Sequence, residues 1–256
     1  MFSEDELKAL RYYEGDTEGD DPFWSDPKAY LTLNSLLYPG IGSETARSAE
    51  GKRLNPAVTE DPERLLEVYR CLISALYKGR KSAQRTVYRV ERWSDHLAQR
   101  YAGMTLSFTS TSTAGFLDAY RDRIGIALLE IIIPAGIPAL DFAEALPYYA
   151  KAEEREILLP PYMSLTYQDE PLTEQEGLIT DAAGEGPRGK CRVIISGPAD
   201  LPAEETILPN DSCAERVYAS LNRGETPDEE DVSGYLRYKE ALQKQVINCL
   251  KRIYRR

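Results

Sequence analysis

The run from Ile126 to Ile133, closed by Pro134-Ala135-Gly136, constrains the fold more than any other feature. It is apolar throughout except for Glu130. An apolar run of this length, stopped by Pro and Gly, reads as a buried strand rather than a half-exposed one. Its neighbours read the same way. Arg85-Thr86-Val87-Tyr88-Arg89-Val90 is β-like, and Leu106 to Ser112 is a strand rich in hydroxyls. Glu154–Leu159, Tyr162–Tyr167 and Cys191–Ser196 complete the set. The acidic, Gly-containing segment 168–189 reads as a long hairpin excursion between the last two.

Helical signals flank this β region. Asp26-Pro27 and Asp61-Pro62-Glu63 are start signals, with Asp at N-cap and Pro at N1. The first helix should end near Tyr38, before Pro39-Gly40, and the second at Gly79. Leu65, Leu66, Tyr69, Leu72, Ile73 and Leu76 recur at helical spacing. Ser94 can cap a short helix through Tyr101. Ser212-Cys213-Ala214-Glu215 and Thr226-Pro227-Asp228-Glu229 both fit a capping box. Tyr235, Tyr238, Leu242, Val246, Cys249 and Ile253 form one apolar stripe on a terminal helix. Its last twenty residues hold seven basic side chains and one acidic, which suits a helix C-terminus. The first 22 residues carry eight acidic and two basic side chains and read as a solvated tail or loop. The organisation expected is therefore an acidic tail over 1–22 and one α+β domain over 23–256. Within it, 23–80 is helical, 81–200 is the β core and 201–256 is helical again.

Composition removes several function classes. Hydrophobic content of 42% with 29% charged residues describes an ordinary globular protein. A net charge of −11 argues against general nucleic-acid binding. No apolar run reaches the length of a membrane span. Cys71, Cys191, Cys213 and Cys249 are widely spaced and His96 is the single histidine, so neither a zinc site nor a disulfide framework is suggested. His96 reads as a surface or capping residue. Reduced thiols and a cytoplasmic setting are the simplest expectation. The acidic start, Met1-Phe2-Ser3-Glu4-Asp5-Glu6, lacks the basic and apolar regions of a signal peptide.

Ala152-Glu153-Glu154-Arg155-Glu156-Ile157-Leu158-Leu159-Pro160 is where chemistry enters. In a strand, Glu154 and Glu156 would project to the same face, about 6–7 Å apart at Cα. Ile157 and Leu159 would face the core. Two carboxylates on a rigid strand can divide acid/base and electrostatic labour at one reacting centre. Taken alone, the segment reads first as an edge strand with charges outward and apolar residues inward.

The order of motifs changes that weighting. Val87-Tyr88-Arg89, then Phe108-Thr109-Ser110-Thr111-Ser112, then Glu154-Arg155-Glu156 before an apolar strand together resemble the ADP-ribosyltransferase family. More narrowly, they resemble its toxin-like, arginine-specific class with an Arg, Ser-Thr-Ser, Glu-x-Glu (R-S-E) signature. The step Ile131-Ile132-Ile133-Pro134-Ala135-Gly136 is similar to the family's apolar strand before its mobile loop. The resemblance covers roughly residues 85–200. It implies an α+β fold of two small, twisted, antiparallel-rich sheets around an NAD cleft, with N-terminal helices and a C-terminal helix packed alongside.

The same resemblance implies roles. Glu156 would face the NAD ribose, where cleavage of the nicotinamide bond develops oxocarbenium-like charge. Glu154 would orient and deprotonate an acceptor guanidinium, which is a poor nucleophile while protonated. Ser110 would position Glu156. Arg89, beside Tyr88, would offer donors to the diphosphate or ribose. Thr111 and Ser112 would shape the pocket wall. Tyr120, with Arg121 or Arg123, would flank the nicotinamide, with Phe116 a competing aromatic. Pro147-Tyr148-Tyr149 corresponds in position to the acceptor-recognition (ARTT) loop, although Lys151 stands where an aromatic often precedes the first glutamate. The expectation is a monomeric, NAD-dependent protein-arginine mono-ADP-ribosyltransferase, with NAD as substrate, an acceptor protein as partner and no metal. It would be cytoplasmic in the producing cell, or delivered as an effector without a signal peptide. An NAD glycohydrolase on the same scaffold and an inactive partner-binding domain are the alternatives.

Overall fold

Among the described residues, seven strands join into one sheet in the order β4-β5-β2-β1-β3-β7-β6. They are β1 (Arg85–Arg92), β2 (Thr109–Ser112), β3 (Ile126–Ile133), β4 (Leu140–Asp141), β5 (Glu156–Leu159), β6 (Met163–Glu170) and β7 (Gly189–Pro198). This computed structural model describes residues 1–16, 19–40, 55–116, 125–146, 151–181 and 183–255. The described chain is α+β and divides into two compact units, Met1–Ala75 with Leu201–Arg256, and Leu76–Asp200.

The sheet lies in the second unit. β3 is buried on both faces and pairs antiparallel with β1 over eight residues and parallel with β7 over six. An apolar run without alternation fits such an interior strand. β6 and β7 form the expected hairpin around the acidic excursion. Two sheets were expected, and one is found, because β1 and β2 are paired at Tyr88↔Ser112. That single pair is a narrow seam between β4-β5-β2 and β1-β3-β7-β6. The hydroxyl strand is also shorter than its sequence suggests, beginning at Thr109 rather than Leu106.

The first unit is helical: α1 (Glu4–Tyr13), α2 (Ala29–Leu37), a short α3 (Pro56–Thr59), α4 (Pro62–Lys78, which runs on into the second unit), α7 (Ala214–Asn222) and α8 (Glu229–Tyr254). The sheet unit adds α5 (Trp93–Ala102) and the single turn α6 (Phe142–Ala145). The solvated tail expected over 1–22 is overturned by α1. Ser3 and Glu6 form a capping box, and Ala9, Leu10, Tyr12 and Tyr13 are buried. The acidic cluster misled because Glu4, Asp5 and Glu6 fill the first turn, where the helix dipole favours negative charge. Asp61 caps α4 as expected, its Oδ1 accepting from the Arg64 amide at 3.0 Å. The N-caps of the other helices that were expected lie within two residues of the predicted ones.

Two side chains of α8 close the far end of α2. Lys239 Nζ donates to the carbonyls of Ser35 (2.8 Å) and Gly40 (2.7 Å). One helical turn on, Gln243 Nε2 donates to Leu37 and Tyr38. Helix C-termini leave carbonyls without intrahelical partners, and these donors satisfy them. Among the described residues no helix is long and apolar enough to cross a membrane.

Candidate active site

β5 is an interior strand between β4 and β2, with all four residues buried. Its pairing with β2 is regular, and sets Glu156 opposite Ser112 and Leu158 opposite Ser110. Paired residues in a sheet share a face. Across the seam Ser112 pairs with Tyr88, and Tyr88 with Glu130 on β3. One cross-strand row therefore reads Glu156, Ser112, Tyr88, Glu130, with Ser110 two residues along on the same face.

The two glutamates do not sit as strand neighbours. Glu154 ends a short 3-10 turn, and Arg155 adopts a left-handed φ of 48° before β5 begins. Strand alternation fails at that kink, so the equal projection expected for Glu154 and Glu156 is replaced by an unequal pair. Glu154 is exposed and Glu156 is buried, at 7% exposure. One carboxylate is exposed and the other is enclosed.

The hydroxyls of β2 hold this junction. Thr111 Oγ1 donates to the Ile157 carbonyl at 2.7 Å. Ser112 Oγ donates to the Glu154 carbonyl at 2.8 Å and accepts from the Ala114 amide at 3.0 Å. The Thr113 amide donates to the Arg155 carbonyl. Thr111 and Ser112, expected to line a pocket wall, direct their hydroxyls to the main chain of the Glu-x-Glu segment. They fix where Glu154 and Glu156 emerge.

Arg89 leaves β1 on the face opposite Tyr88. Its Nε lies 2.5 Å from Oε1 of Glu91, and its Nη1 donates to the Ser110 carbonyl across the seam. Glu91 is 1% exposed and also accepts two hydrogen bonds from Gln99 Nε2, at 3.0 and 3.2 Å. Gln99 lies on α5 and is itself buried. Farther along this face, His96 is fully buried, with Nε2 3.6 Å from Cys191 Sγ. Its ring packs against Tyr167 and Trp93. The surface or capping position expected for His96 is wrong, because α5 turns that residue under the sheet. Burial lowers its pKa, against an opposing pull from Glu91.

On the other face, Tyr88 is half-buried and meets Phe116 edge-on, with ring centroids 5.3 Å apart. Lys190 Nζ stands 5.8 Å from the Phe116 centroid and pairs with Glu176 at 2.7 Å. Tyr120, Arg121, Arg123 and the Pro147-Tyr148-Tyr149 loop lie outside the described residues. The structure thus gathers Glu156, Ser110, Ser112 and Tyr88 on one face. Arg89 and Thr111 brace it from the other, and Glu154 stands exposed at its edge. Glu91 and Gln99 escaped the sequence reading. The signal for Glu91 was its i+2 spacing from Arg89 on a strand, which puts the two on one face.

No protein-family model matches the sequence, and no curated protein matches it. Solved structures do. The enzymatic component C2-I of the C2 toxin from Clostridium botulinum superposes with a TM-score of 0.50 at 15% identity, covering 78% of this chain and 44% of C2-I. The chain has the fold of the ADP-ribosylating toxins. BECa, an ADP-ribosylating toxin of a binary enterotoxin of C. perfringens solved with NADH, is 17% identical over 76% of this chain and 44% of its own, with a TM-score of 0.48. Another ADP-ribosyltransferase from C. botulinum is 13% identical over 76% of this chain and 87% of its own, with a TM-score of 0.44. This chain spans less than half the length of C2-I and BECa. Within the ADP-ribosylating toxin fold, the described site supplies one buried and one exposed carboxylate at adjoining positions, held by a hydroxyl strand.

Proposed function

We propose that this chain is an NAD-dependent mono-ADP-ribosyltransferase that modifies an arginine side chain of an acceptor protein. The observation that carries the proposal is the unequal pair, with Glu156 buried beside Ser112 and Glu154 exposed one kink earlier. In this reading the bond between the nicotinamide nitrogen and ribose C1′ breaks, and its electron pair leaves with nicotinamide. Glu156 stabilises the positive charge that grows on the ribose. A guanidinium nitrogen of the acceptor then bonds to C1′, and its proton passes to Glu154. A base on the acceptor side must be reachable by a protein-sized partner, and exposure of Glu154 suits that need. A charge-stabilising carboxylate works best shielded from water, and burial of Glu156 suits that one.

Tyr88 and Phe116 offer an aromatic surface on the Glu156 face for a ring of the dinucleotide. Arg89 carries five N–H donors in a planar fork. Its bonds to Glu91 and the Ser110 carbonyl fix that fork on the opposite face, where it steadies β2 behind Glu156.

Incubation with labelled NAD and agmatine tests the reading. Wild type is expected to release nicotinamide and to ADP-ribosylate agmatine. Glu154→Gln is expected to lose agmatine modification while still hydrolysing NAD. Absence of nicotinamide release by wild type, or undiminished release by Glu156→Gln, sinks the proposal. Equal loss of transfer and hydrolysis in Glu154→Gln removes its acceptor-side role.

A further inference from the structure

The seam between β1 and β2 is held by one main-chain pair, and a side-chain relay reinforces it at that point. Gln99 on α5 donates to both carboxylate oxygens of Glu91. Glu91 holds Arg89 at 2.5 Å, and Arg89 holds the Ser110 carbonyl on β2. Two residues farther along β2, Ser112 holds the Glu154 carbonyl. Glu91 is 1% exposed and the Arg89 side chain 16%. A carboxylate that deep is costly unless paired and hydrogen-bonded, and both requirements are met here.

We propose that Glu91 is a positioning residue for the reaction, acting through Arg89 to set the register of the hydroxyl strand against the catalytic glutamates. This inference rests on the ADP-ribosyltransferase reading for its effect on turnover, but its structural half stands apart from that reading. Hydrogen bonds from Arg89 and Gln99 converge on one buried carboxylate. An arginine whose Nε is spent on Glu91 keeps its guanidinium plane fixed about Cδ–Nε, which directs Nη1 at a stationary acceptor. The acceptor is the main chain of Ser110, so an error in the Arg89 plane becomes a displacement of β2. Through the Thr111 hydroxyl β2 carries the same displacement to β5, and through the Ser112 hydroxyl to the turn that holds Glu154. Small displacements of a reacting group cost about 100-fold in rate. The residue is specified by strand alternation, since Glu91 must share the face of Arg89, and by α5, which begins directly after β1 and folds Gln99 back over it.

The test uses the full chain with Glu91→Gln, and Gln99→Met as a milder variant should Glu91→Gln fold poorly. Two quantities are read: kcat/KM for nicotinamide release, and the exchange rate of the Arg89 Nε–H proton by NMR, assigned by its disappearance in Arg89→Lys. The expected result is a loss of about 100-fold in kcat/KM for Glu91→Gln, falling mainly on kcat, with faster exchange at Arg89 Nε–H. Gln99→Met is expected to move both quantities the same way by about 10-fold or less. Unchanged Arg89 exchange in a folded variant overturns the proposal whatever the activity. Faster exchange with wild-type kcat/KM overturns it as well, because the relay would then be structural alone. If wild type releases no nicotinamide, the proposed function falls, and the exchange measurement alone decides whether Glu91 holds Arg89.

Discussion

The helical unit and the sheet unit each bury an ionisable side chain, and they partner it differently. In the helical unit Lys239 is 1% exposed and its hydrogen bonds go to two main-chain carbonyls, those of Ser35 and Gly40. In the sheet unit Glu91 is as deeply buried, yet it meets a guanidinium and a side-chain amide. The first arrangement closes the end of α2 and asks nothing of the residues beyond it. The second joins two strands at a seam with one main-chain pair, and its far end is the segment that carries Glu156. Buried polarity in the helical unit should therefore register in stability, and in the sheet unit in catalysis as well.

The largest effect expected is in the sheet unit. Glu156→Gln keeps the shape of the side chain and removes its charge, so nicotinamide release should fall by about 100- to 1,000-fold, as when one preorganised transition-state stabiliser is lost. The melting temperature should move little by comparison, and circular dichroism alongside the NAD assay reads both. A large drop in stability with only a small loss of turnover would place Glu156 with Lys239 among structural groups.

The next test sets the two units against each other by pH. Burial pushes the Lys239 pKa down to about 7, from an unfolded value near 10.5. Between those limits the unfolded chain binds a proton that the folded one does not, so stability rises with pH from about 7 to 10.5 and is flat below. The slope is at most about 1.4 kcal/mol per pH unit, and Lys239→Met should abolish it. His96 behaves likewise in a different window. Burial lowers its pKa from 6.5, so stability contributed by its neutral form is present above about 6.5 and declines as pH falls below that. The chain has two tryptophans, Trp24 in the helical unit and Trp93 in the sheet unit. Urea unfolding of Trp93→Phe and Trp24→Phe variants, followed by fluorescence, therefore reads each unit in turn. Equal pH slopes from both probes in both windows would dissolve the distinction.

Much of the sheet could be read along the chain, because apolar runs and hairpin signals are local. Ile126–Ile133 and the pair Met163–Glu170 with Gly189–Pro198 follow from their own residues. The resemblance carried by Tyr88-Arg89, Ser110-Thr111-Ser112 and Glu154-x-Glu156 pointed to the fold that C2-I shares. What escaped was nonlocal or conformational. The φ of 48° at Arg155 has no signature in an arginine, yet it separates Glu154 from Glu156. Burial of His96 and the pairing of Gln99 with Glu91 depend on which way α5 folds back. In α1 the Ser3/Glu6 capping box is local, but it is masked by an acidic first turn that resembles a solvated tail.

A finer comparison within the sheet unit concerns the two hydroxyls that hold β5. Thr111→Val removes a buried donor to the Ile157 carbonyl and should cost about 1.5 kcal/mol in urea unfolding followed by Trp93 fluorescence. Transfer and hydrolysis should decline together, because the strand that carries Glu156 loosens as a whole.

Ser112→Ala should be the smallest of these effects on stability, about 1 kcal/mol, because Ser112 retains 8% exposure and water can replace part of its bonding. Its consequence for chemistry should differ in kind. The Ser112 hydroxyl holds the carbonyl of Glu154, the exposed acceptor-side glutamate, and not that of a residue within β5. Loosening that turn should lower agmatine modification several-fold while leaving NAD hydrolysis near wild type, so the ratio of the two products shifts toward free ADP-ribose. A proportional fall in both products would mean that Ser112 and Thr111 support one rigid strand, and that the Arg155 kink does not separate two functional groups.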